Sequence, residues 1–466
     1  MNQVFDRMIR NGKVVLPDGT YSMDIGIIGG KIAAISESLA DCAADDVLDA
    51  EGKYVLPGMI DIHVHFNEPN FGHWEGFATG SAALAAGGCT AYADMPLNGN
   101  PPTVTPEALS LKEKLAEGHS AVDYTFWGGL VPGKLDQLEK MASAGVRGFK
   151  AFMSNPGGEG EGRFREVDDL TLYEGMKRIA ALGGFVALHA ESDAITSRLA
   201  EQAVQEGRTD ARAFVASRPV IAELEAVNKA ILFSEQTDCE VHFVHISSVE
   251  AVELIDRAKK RGVAVTVETC PHYLLLTDED MASIGPAAKC APPLRSKEQK
   301  EGLWRLLAEG KLDVIASDHS PCPPELKLDE SLSFFEAWGG IAGAQSSLEI
   351  MLDEGWVKRQ IPLHQLMDVL SAGPAKRFGL YPHKGHIAEG ADADLVLVDP
   401  RRSYTLAEKD LWQRHKVSPY IGREMTCKVT ATLVRGLTVY SEEDGVQEVR
   451  QGQLLLKPVN AHQQTP

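Results

Sequence analysis

The sequence lacks the cysteine patterns that hold small secreted proteins and zinc modules together. Its seven cysteines are irregularly spaced and include no CxxC pair, so we expect reduced, mostly buried thiols. No stretch approaches the ~18 consecutive apolar residues of a membrane helix, and the N-terminal segment MNQVFDRMIRNGKVVLPDG has no apolar signal-peptide core. We therefore expect a cytoplasmic protein.

Positive charge is also scarce in this sequence. Lysine and arginine number 46 against 66 aspartates and glutamates, which leaves a net charge of -20. Binding to nucleic acid or to anionic membranes depends on clustered lysine and arginine, so we expect neither partner and favour a small neutral substrate. The chain has no low-complexity tract and no solenoid repeat, and its 44% hydrophobic and 24% charged content is that of a globular enzyme.

The two ends of the chain share one texture. Residues 4–55 contain short alternating runs separated by Asn11-Gly12, Asp18-Gly19 and Gly29-Gly30, which are hairpin turn signals of an antiparallel sheet. A similar pattern returns after residue 384. We expect residues 1–56 and 381–466, the latter with a C-terminal tail, to build one small β-sheet (β-sandwich) domain together.

Residues 57–380 show short apolar runs alternating with amphipathic stretches, such as 75–86, 248–260 and 297–309. This alternation is typical of repeated βα units. Eight strands are predicted, at 59–65, 90–95, 122–127, 146–152, 185–189, 241–246, 264–268 and 314–318. The sequence therefore predicts an α/β fold with a (β/α)8 TIM-like barrel inserted in the sheet domain, and its active site at the C-terminal strand ends.

The end of the first predicted strand carries His63-Val64-His65. Side chains two apart on a strand point to the same face, so both imidazoles project together. Chance alone gives roughly 0.4 such triplets in a chain of this composition, so the pattern needs support from elsewhere in the chain.

Later strands supply that support. The fourth predicted strand carries Lys150, and the fifth, sixth and eighth end near His189, His245 and Asp318. A single histidine of this kind would be interpreted as a buried core residue, but burying four imidazoles at one rim without a cation is costly. Nitrogen and oxygen ligands without thiolate indicate zinc, or cobalt, manganese, nickel or iron.

Lys150 has two interpretations. It is either an exposed lysine at a strand end or a buried amine next to metal ions. Burial and nearby positive charge favour the neutral amine, which can add carbon dioxide to form a carbamate. Such an anion can bridge two metal ions.

With this set of residues the chain resembles the cyclic amidohydrolases of the amidohydrolase superfamily, over nearly its whole length. The segments 317–325, 337–343 and 414–420 are similar to the allantoinase branch in particular. The resemblance implies one metal ion on His63, His65 and Asp318, a second on His189 and His245, and an N6-carboxylated Lys150 between them. It also implies hydrolysis of allantoin to allantoate, with Asp318 as the catalytic proton carrier, and a homotetramer.

Two departures from sister enzymes sharpen the resemblance. Asn67 stands where dihydroorotases place an arginine for the substrate carboxylate, and Asn155 stands where hydantoinases and dihydropyrimidinases place a tyrosine for the oxyanion. We therefore expect the oxyanion to use another donor, a metal ion or a backbone N-H. A hydantoinase or dihydropyrimidinase with the same chemistry remains the alternative. More distant alternatives are a non-catalytic assembly protein on the same fold and a phosphoester hydrolase on the same metal frame.

Other polar residues receive weaker predictions. Asn98 and Cys290 follow barrel strands and are predicted substrate contacts. His242 lies three residues before His245, and we expect it on the opposite face of that strand, packed under a helix. His272 is either a supporting residue or a loop residue, and the segment His73-Trp74-Glu75 is left unassigned between a packed helix start and a substrate contact.

Overall fold

The computed structural model describes residues 4–157 and 162–455. In chain order the strands are β1 Val4–Leu16, β2 Gly19–Ile28, β3 Lys31–Ser36, β4 Ala43–Asp49, β5 Tyr54–Pro57, β6 Met59–Val64, β7 Cys89–Asp94, β8 Asp123–Phe126, β9 Gly128–Gly129, β10 Gly148–Phe152, β11 Phe185–His189, β12 Glu240–Phe243, β13 Val265–Thr269, β14 Val314–Ile315, β15 Leu395–Asp399, β16 Tyr404–Thr405, β17 Glu424–Met425, β18 Lys428–Val434, β19 Leu437–Ser441 and β20 Gly445–Val446.

The α-helices alternate with the barrel strands. They are α1 Phe77–Ala86, α2 Pro106–Ala116, α3 Leu138–Ser143, α4 Asp169–Ala181, α5 Asp193–Gln205, α6 Ala211–Ser217, α7 Val220–Thr237, α8 Val249–Lys260, α9 Pro271–Leu275, α10 Asp278–Ile284, α11 Lys297–Ala308, α12 Ser347–Met351, α13 Leu363–Met367 and α14 Gly373–Phe378. Across the two described ranges, no helix has both the length and the apolar composition that a bilayer crossing requires.

The strands β6 to β14 form a closed parallel barrel. β6, β7 and β8 pair in parallel, β9 continues the third strand after Trp127, and β9 to β14 pair in sequence order. The barrel closes where His65 N donates to His319 O at 2.8 Å, beside a parallel bridge between Val64 and His319. The predicted (β/α)8 barrel is confirmed. The last strand is shorter than predicted, so Asp318 lies in the loop that follows β14.

The composition of the barrel strands follows from their position. Every residue of β6, β7 and β11 is buried, because helices cover the outer face and side chains fill the interior. The helices are amphipathic for the same reason. In α8, for example, Ala251, Val252, Ile255 and Ala258 are buried at helical spacing, and the Ser248 side chain accepts a hydrogen bond from Ala251 N at the start of the helix.

Both ends of the chain contribute to one sheet. Its strand order is β20-β19-β18-β15-β5-β1-β2-β3, with β4 also paired to β1. The predicted antiparallel pairing holds for β1, β2 and β3, but β4 and β5 run parallel to β1. The domain limits that we predicted, 1–56, 57–380 and 381–466, stay a prediction.

The hairpin turn predicted at Asn11-Gly12 is wrong. These residues lie inside β1, where the register against β2 shifts between Ile9 and Gly12 and Asn11 has a φ of 56°. Asn11 N donates to the Asp24 side chain on the neighbouring strand at 2.9 Å. The dipeptide therefore forms a β-bulge, which uses the same positive-φ residues as a tight turn.

Candidate metal centre

The predicted ligands meet at the C-terminal ends of the barrel strands. All six residues are buried or line a buried cavity, although they come from strands far apart in sequence. The cavity has a volume of about 100 Å³. Its lining residues are His63, His65, Leu97, Asn98, Phe152, Asn155, Pro156, His189, Arg218, His245, Ala291, Asp318, Ser320, Trp338 and Gly339.

The first predicted ligand group is assembled around Asp318. Its Oδ1 lies 3.2 Å from His63 Nε2 and 3.4 Å from His65 Nε2. Burial by itself raises the pKa of Asp318, but the neighbouring histidines lower that pKa well below its usual value. Asp318 is therefore an ionised carboxylate facing two imidazole nitrogens.

The second predicted group is also in contact. His189 Nδ1 lies 3.0 Å from His245 Nε2. His245 further belongs to a cluster with His63 and Asp318 in which one ligand atom of each residue lies within 4.8 Å of the others. The two predicted groups are thus adjacent, and a metal ion could be held by residues of both.

Lys150 lies in β10 with its ammonium nitrogen buried and without a hydrogen-bond partner among the described residues. The nitrogen is 5.0 Å from the centre of the Phe152 ring. Burial lowers the pKa of Lys150 to about 8. An exposed strand-end lysine is ruled out. A buried nitrogen without a partner among the described residues, close enough for its charge to act on His65, His189 and His245, fits a group that is modified or covered by metal ions.

A buried glutamate that sequence reasoning missed supports the first group. Glu268 Oε1 accepts from His63 Nδ1 at 2.7 Å and from His245 N at 3.1 Å. Burial alone raises the pKa of Glu268, but His63 and His242 lower it to about 2. Histidines that bind metal usually donate their other ring N-H to a carboxylate in this way. The position of Glu268 at the end of the seventh predicted strand was the signal available in the sequence.

Glu191 supports the second group in the same manner. Its Oε2 lies 2.8 Å from His189 Nε2 and also contacts the guanidinium of Arg218. Burial raises the pKa of Glu191, and Arg218 and His189 together lower it to about 2. Two histidines of the centre are therefore oriented by carboxylates, and the donor set as a whole fits divalent metal ions.

His242 does not lie under a helix as predicted. Its Nε2 is 3.2 Å from Glu268 Oε2, its Nδ1 is 2.8 Å from Thr266 Oγ1, and its ring stacks on Trp127 inside the barrel. The prediction extended strand alternation to His245. The strand ends at Phe243 and His245 has a φ of 40°, so the alternation no longer applies there.

The backbone is strained at two of the predicted ligands. His245 and Asp318 have φ values of 40° and 47°, a region that non-glycine residues rarely adopt. Such conformations persist only where the surrounding structure holds them, and they concentrate at functional sites. Both residues follow the end of a barrel strand, so this backbone turn aims their side chains into the cavity.

The predicted substrate contacts have different positions. Asn98 lines the cavity, and its Nδ2 lies 3.4 Å from His65 Nδ1. Cys290 is buried, and among the described residues it is the next residue, Ala291, that lines the cavity. His272 is buried, and neither of its ring nitrogens has a partner in the described part of the chain.

A second cavity opens beside the first. It has a volume of about 300 Å³ and shares Leu97, Asn98, Pro156 and Trp338 with the inner cavity. Its other lining residues include Phe71, Trp74, Arg163 and Phe164. Trp74, which we left unassigned, therefore lines this second, outer cavity, and the centre of its ring lies 4.8 Å from that of the Trp338 ring.

Comparisons with known proteins match this chain over most of its length. The family model described as "Amidohydrolase family" matches residues 54–439. The chain is 50% identical to the allantoinase of Rubrobacter xylanophilus, over 94% of each chain. It is 48% identical to the allantoinase of Deinococcus radiodurans, over 93% of this chain and 95% of the relative.

Solved structures give the same picture. The L-hydantoinase (dihydropyrimidinase) of Arthrobacter aurescens superimposes with a TM-score of 0.93 at 36% identity, over 97% of this chain and all of that one. The D-hydantoinase (dihydropyrimidinase) of a Thermus species gives a TM-score of 0.89 at 30% identity, over 97% of this chain and 99% of that one.

Proposed function

This chain belongs to the amidohydrolase family, and from that premise we propose that it is an allantoinase, which hydrolyses the cyclic amide bond of allantoin to give allantoate. The observation that carries the proposal is the near full-length identity of 48% and 50% to relatives of that name, in a chain that keeps every predicted ligand at one barrel rim.

The metal centre is assigned by donor chemistry. His63, His65 and Asp318 would hold one divalent ion, and His189 and His245 a second, with zinc favoured and cobalt, manganese, nickel or iron as alternatives. When bound, such a pair of ions activates a water molecule as nucleophile and polarises the scissile carbonyl. The unpartnered Nδ1 of His245 and Nζ of Lys150 support a centre completed by groups other than protein side chains.

Lys150 would be carboxylated on its terminal nitrogen. Burial lowers the pKa of Lys150 to about 8, so a useful fraction of the amine is neutral near pH 7 and can attack carbon dioxide. The new N-C bond forms as the amine loses one proton to solvent. The resulting carbamate replaces an uncompensated buried amine with an anion between the two predicted ligand groups.

Asp318 would carry the proton of the reaction. It is ionised, and its Oδ1 already lies against His63 and His65. The carboxylate accepts a proton from the attacking water and returns it to the ring nitrogen as the C-N bond breaks. Its backbone φ of 47° holds the carboxylate at the end of the barrel, where both transfers take place.

In addition to the metal ion or backbone N-H expected from the sequence, Asn155 would supply an oxyanion donor in the place of the hydantoinase tyrosine. Its Oδ1 accepts from Gly157 N at 2.9 Å and from Arg163 Nη1 at 3.0 Å, so the amide N-H groups remain for the cavity that Asn155 lines. A hydrogen-bond donor placed at the developing charge would stabilise the transition state more than the ground state.

A hydantoinase or dihydropyrimidinase activity is the second candidate. The outer cavity, with Phe71, Trp74, Phe164 and Trp338 in its wall, has room for an apolar substituent on a hydantoin ring. The cytoplasmic location and the homotetramer predicted from the sequence are kept as part of the proposal. They rest on composition and on the family resemblance.

The deciding experiment detects allantoate from allantoin without relying on ammonia release. Purified protein with a measured metal content is given allantoin, hydantoin, dihydrouracil and dihydroorotate in parallel. Activity on allantoin with about two metal ions per chain supports the proposal. Activity mainly on hydantoin or dihydrouracil favours the second candidate, and inactivity on all four with full metal contradicts both.

A further inference from the structure

Two lysines near the site are buried without a carboxylate. Lys289 is 3% exposed and Lys327 is 4% exposed, and no described acidic side chain forms an ion pair with either ammonium. Burying a charged group without compensation is costly. Their burial therefore needs a specific set of partners.

Lys289 points at one end of the segment 335–340. Its Nζ donates to Phe335 O at 3.1 Å and to Ala337 O at 2.5 Å. The same nitrogen lies 4.7 Å from the centre of the Phe214 ring, a distance at which the ring face attracts a cation. Its partners are thus backbone oxygens and an aromatic face.

Lys327 points at the other end of the segment. Its Nζ donates to Trp338 O at 3.0 Å, to Gly340 O, and to Lys289 O at 3.4 Å. Burial lowers the pKa of Lys327 to about 8, so near pH 7 the ammonium keeps the three N-H groups that three carbonyl oxygens require.

The segment 335–340 forms a wall of the inner cavity. Trp338 and Gly339 line that cavity, and Trp338 Nε1 donates to Ser320 O at 3.0 Å. Residues 335–340 form neither helix nor strand and include two consecutive glycines. Irregular, glycine-containing backbone is entropically costly to hold in one conformation, and buried carbonyls need donors.

We propose that Lys289 and Lys327 are positioning residues that hold the backbone of 335–340, through four of its carbonyl oxygens, at the wall of the substrate cavity. The lysines touch neither the predicted metal ligands nor the cavity surface among the described residues. Their effect reaches the substrate through Trp338 and Gly339. The link to substrate affinity rests on the proposed function, whereas the link to backbone order does not.

The test replaces each lysine by methionine, which keeps the apolar length and removes the donors. For Lys327→Met we expect hydrogen exchange in the segment 335–342 to accelerate at least ~10-fold and KM to rise at least ~10-fold, with kcat within about threefold. Lys289→Met should give smaller changes of the same kind, and metal content should match that of the unmodified protein in both.

Lys300→Met is the matched control. Lys300 also donates to a backbone carbonyl, Leu275 O at 3.3 Å, but it lies in α11 away from the cavity. The Lys300→Met variant should leave both the hydrogen exchange of the segment 335–342 and the KM unchanged. Lys327→Arg retains the charge and the N-H donors, so hydrogen exchange in the segment 335–342 should be slower than in Lys327→Met. This comparison separates the loss of the donors from a failure of Lys327→Met to fold.

The outcomes separate the two proposals. Unchanged exchange and unchanged KM in both methionine variants would overturn the positioning role. Faster exchange in a protein that hydrolyses none of the cyclic amides would uphold the backbone role and reject the allantoinase assignment. Faster exchange with a normal KM on allantoin would show that the segment does not set substrate affinity and would overturn that part of the proposal.

Discussion

Two buried lysines in this protein have opposite surroundings. Lys150, at the candidate metal centre, has no hydrogen-bond partner among the described residues, and burial lowers its pKa to about 8. Lys384, where the barrel meets the sheet, lies 2.8 Å from Asp123, 3.0 Å from Asp392 and 2.7 Å from Asp394. Burial alone lowers the pKa of Lys384, but these carboxylates raise it above its usual value.

The difference separates a structural charge cluster from a functional one. At the junction Arg435 also contacts Asp123, and its backbone N donates to Asp394 at 2.8 Å, so the buried charges are paired. At the rim Lys150 Nζ and His245 Nδ1 have no hydrogen-bond partner among the described residues. A buried polar group without a partner needs a specific explanation, and functional sites are one place where such groups concentrate.

The largest effect is expected for Asp318→Ala at the rim. The variant loses both a predicted metal ligand and the proton carrier, so turnover of allantoin should fall at least ~10⁴-fold. Turnover and metal content are measured together on protein with an unchanged circular dichroism spectrum. Normal turnover with full metal would remove Asp318 from the mechanism.

Replacing Lys384 or Lys150 by methionine tests directly whether the first lysine is structural and the second functional. Lys384→Met leaves Asp394 without a cation among the described residues and leaves Asp123 and Asp392 with Arg435 and Lys31 alone. The free energy of unfolding should therefore fall by about 3–5 kcal/mol, while the activity of the folded fraction stays near normal. Lys150→Met should leave stability within about 1 kcal/mol or raise it, and abolish activity. Urea unfolding and steady-state kinetics give both readouts, and equal destabilisation by the two variants would contradict the distinction.

Metal affinity is expected to depend on the carboxylate behind His63. Glu268→Gln weakens the hydrogen bonds that orient the His63 ring and the backbone N-H of His245. Metal affinity should therefore fall ~10–100-fold. Competition with a chelator, monitored by metal analysis, measures it. Glu223→Gln is the matched control, because Glu223 is equally buried but binds Ser247 and Ser248 instead. A similar loss in both variants would mean that the effect is only general destabilisation.

The smallest effect concerns acid sensitivity near the rim. Burial lowers the pKa of His272 to about 4, so between pH 6.5 and pH 4 the unfolded chain binds a proton that the folded chain does not. Stability is therefore lost as the pH falls through this window, by about 2 kcal/mol between pH 7 and pH 5. We measure the free energy of unfolding in urea at pH 7 and at pH 5. The decrease between the two pH values should be smaller by about 2 kcal/mol in His272→Gln than in the unmodified protein.

The exposed His119→Gln serves as the control for this measurement. It should show the same pH dependence as the unmodified protein. If His272→Gln also shows it, then His272 is not the group responsible for the acid sensitivity.

Much of the fold and the core of the site could be predicted because they depend on local patterns. Parallel strands are buried on both faces, so they appear in the sequence as apolar runs. The ends of these runs then located the predicted ligands His63, His65, His189 and Asp318. The sequence did not predict the hydrogen bonds and ion pairs around the predicted ligands, because these contacts depend on which residues become neighbours in space. Glu191 and the lysines of the 335–340 wall have no distinctive sequence spacing, and the position of Glu268 at the end of the seventh predicted strand was its only signal in the sequence.

Some predictions failed for the same reason. Asn11-Gly12 has the composition of a turn, but its pairing with β2 makes it a bulge. His242 was assigned from strand alternation. That alternation ends with the strand at Phe243, before the backbone turn at His245. Local rules describe a strand only as long as the strand continues, and its end is set by contacts across the barrel.

By itself the sequence determined the barrel, the sheet shared by both chain ends and the set of predicted metal ligands, because hydrophobic period and residue chemistry are properties of short segments. Only the tertiary structure decided which buried charges are paired and which stay free. Pairing depends on distances between residues hundreds of positions apart, such as Lys384 and Asp123. Those distances exist only once the barrel has closed and the sheet has packed against it.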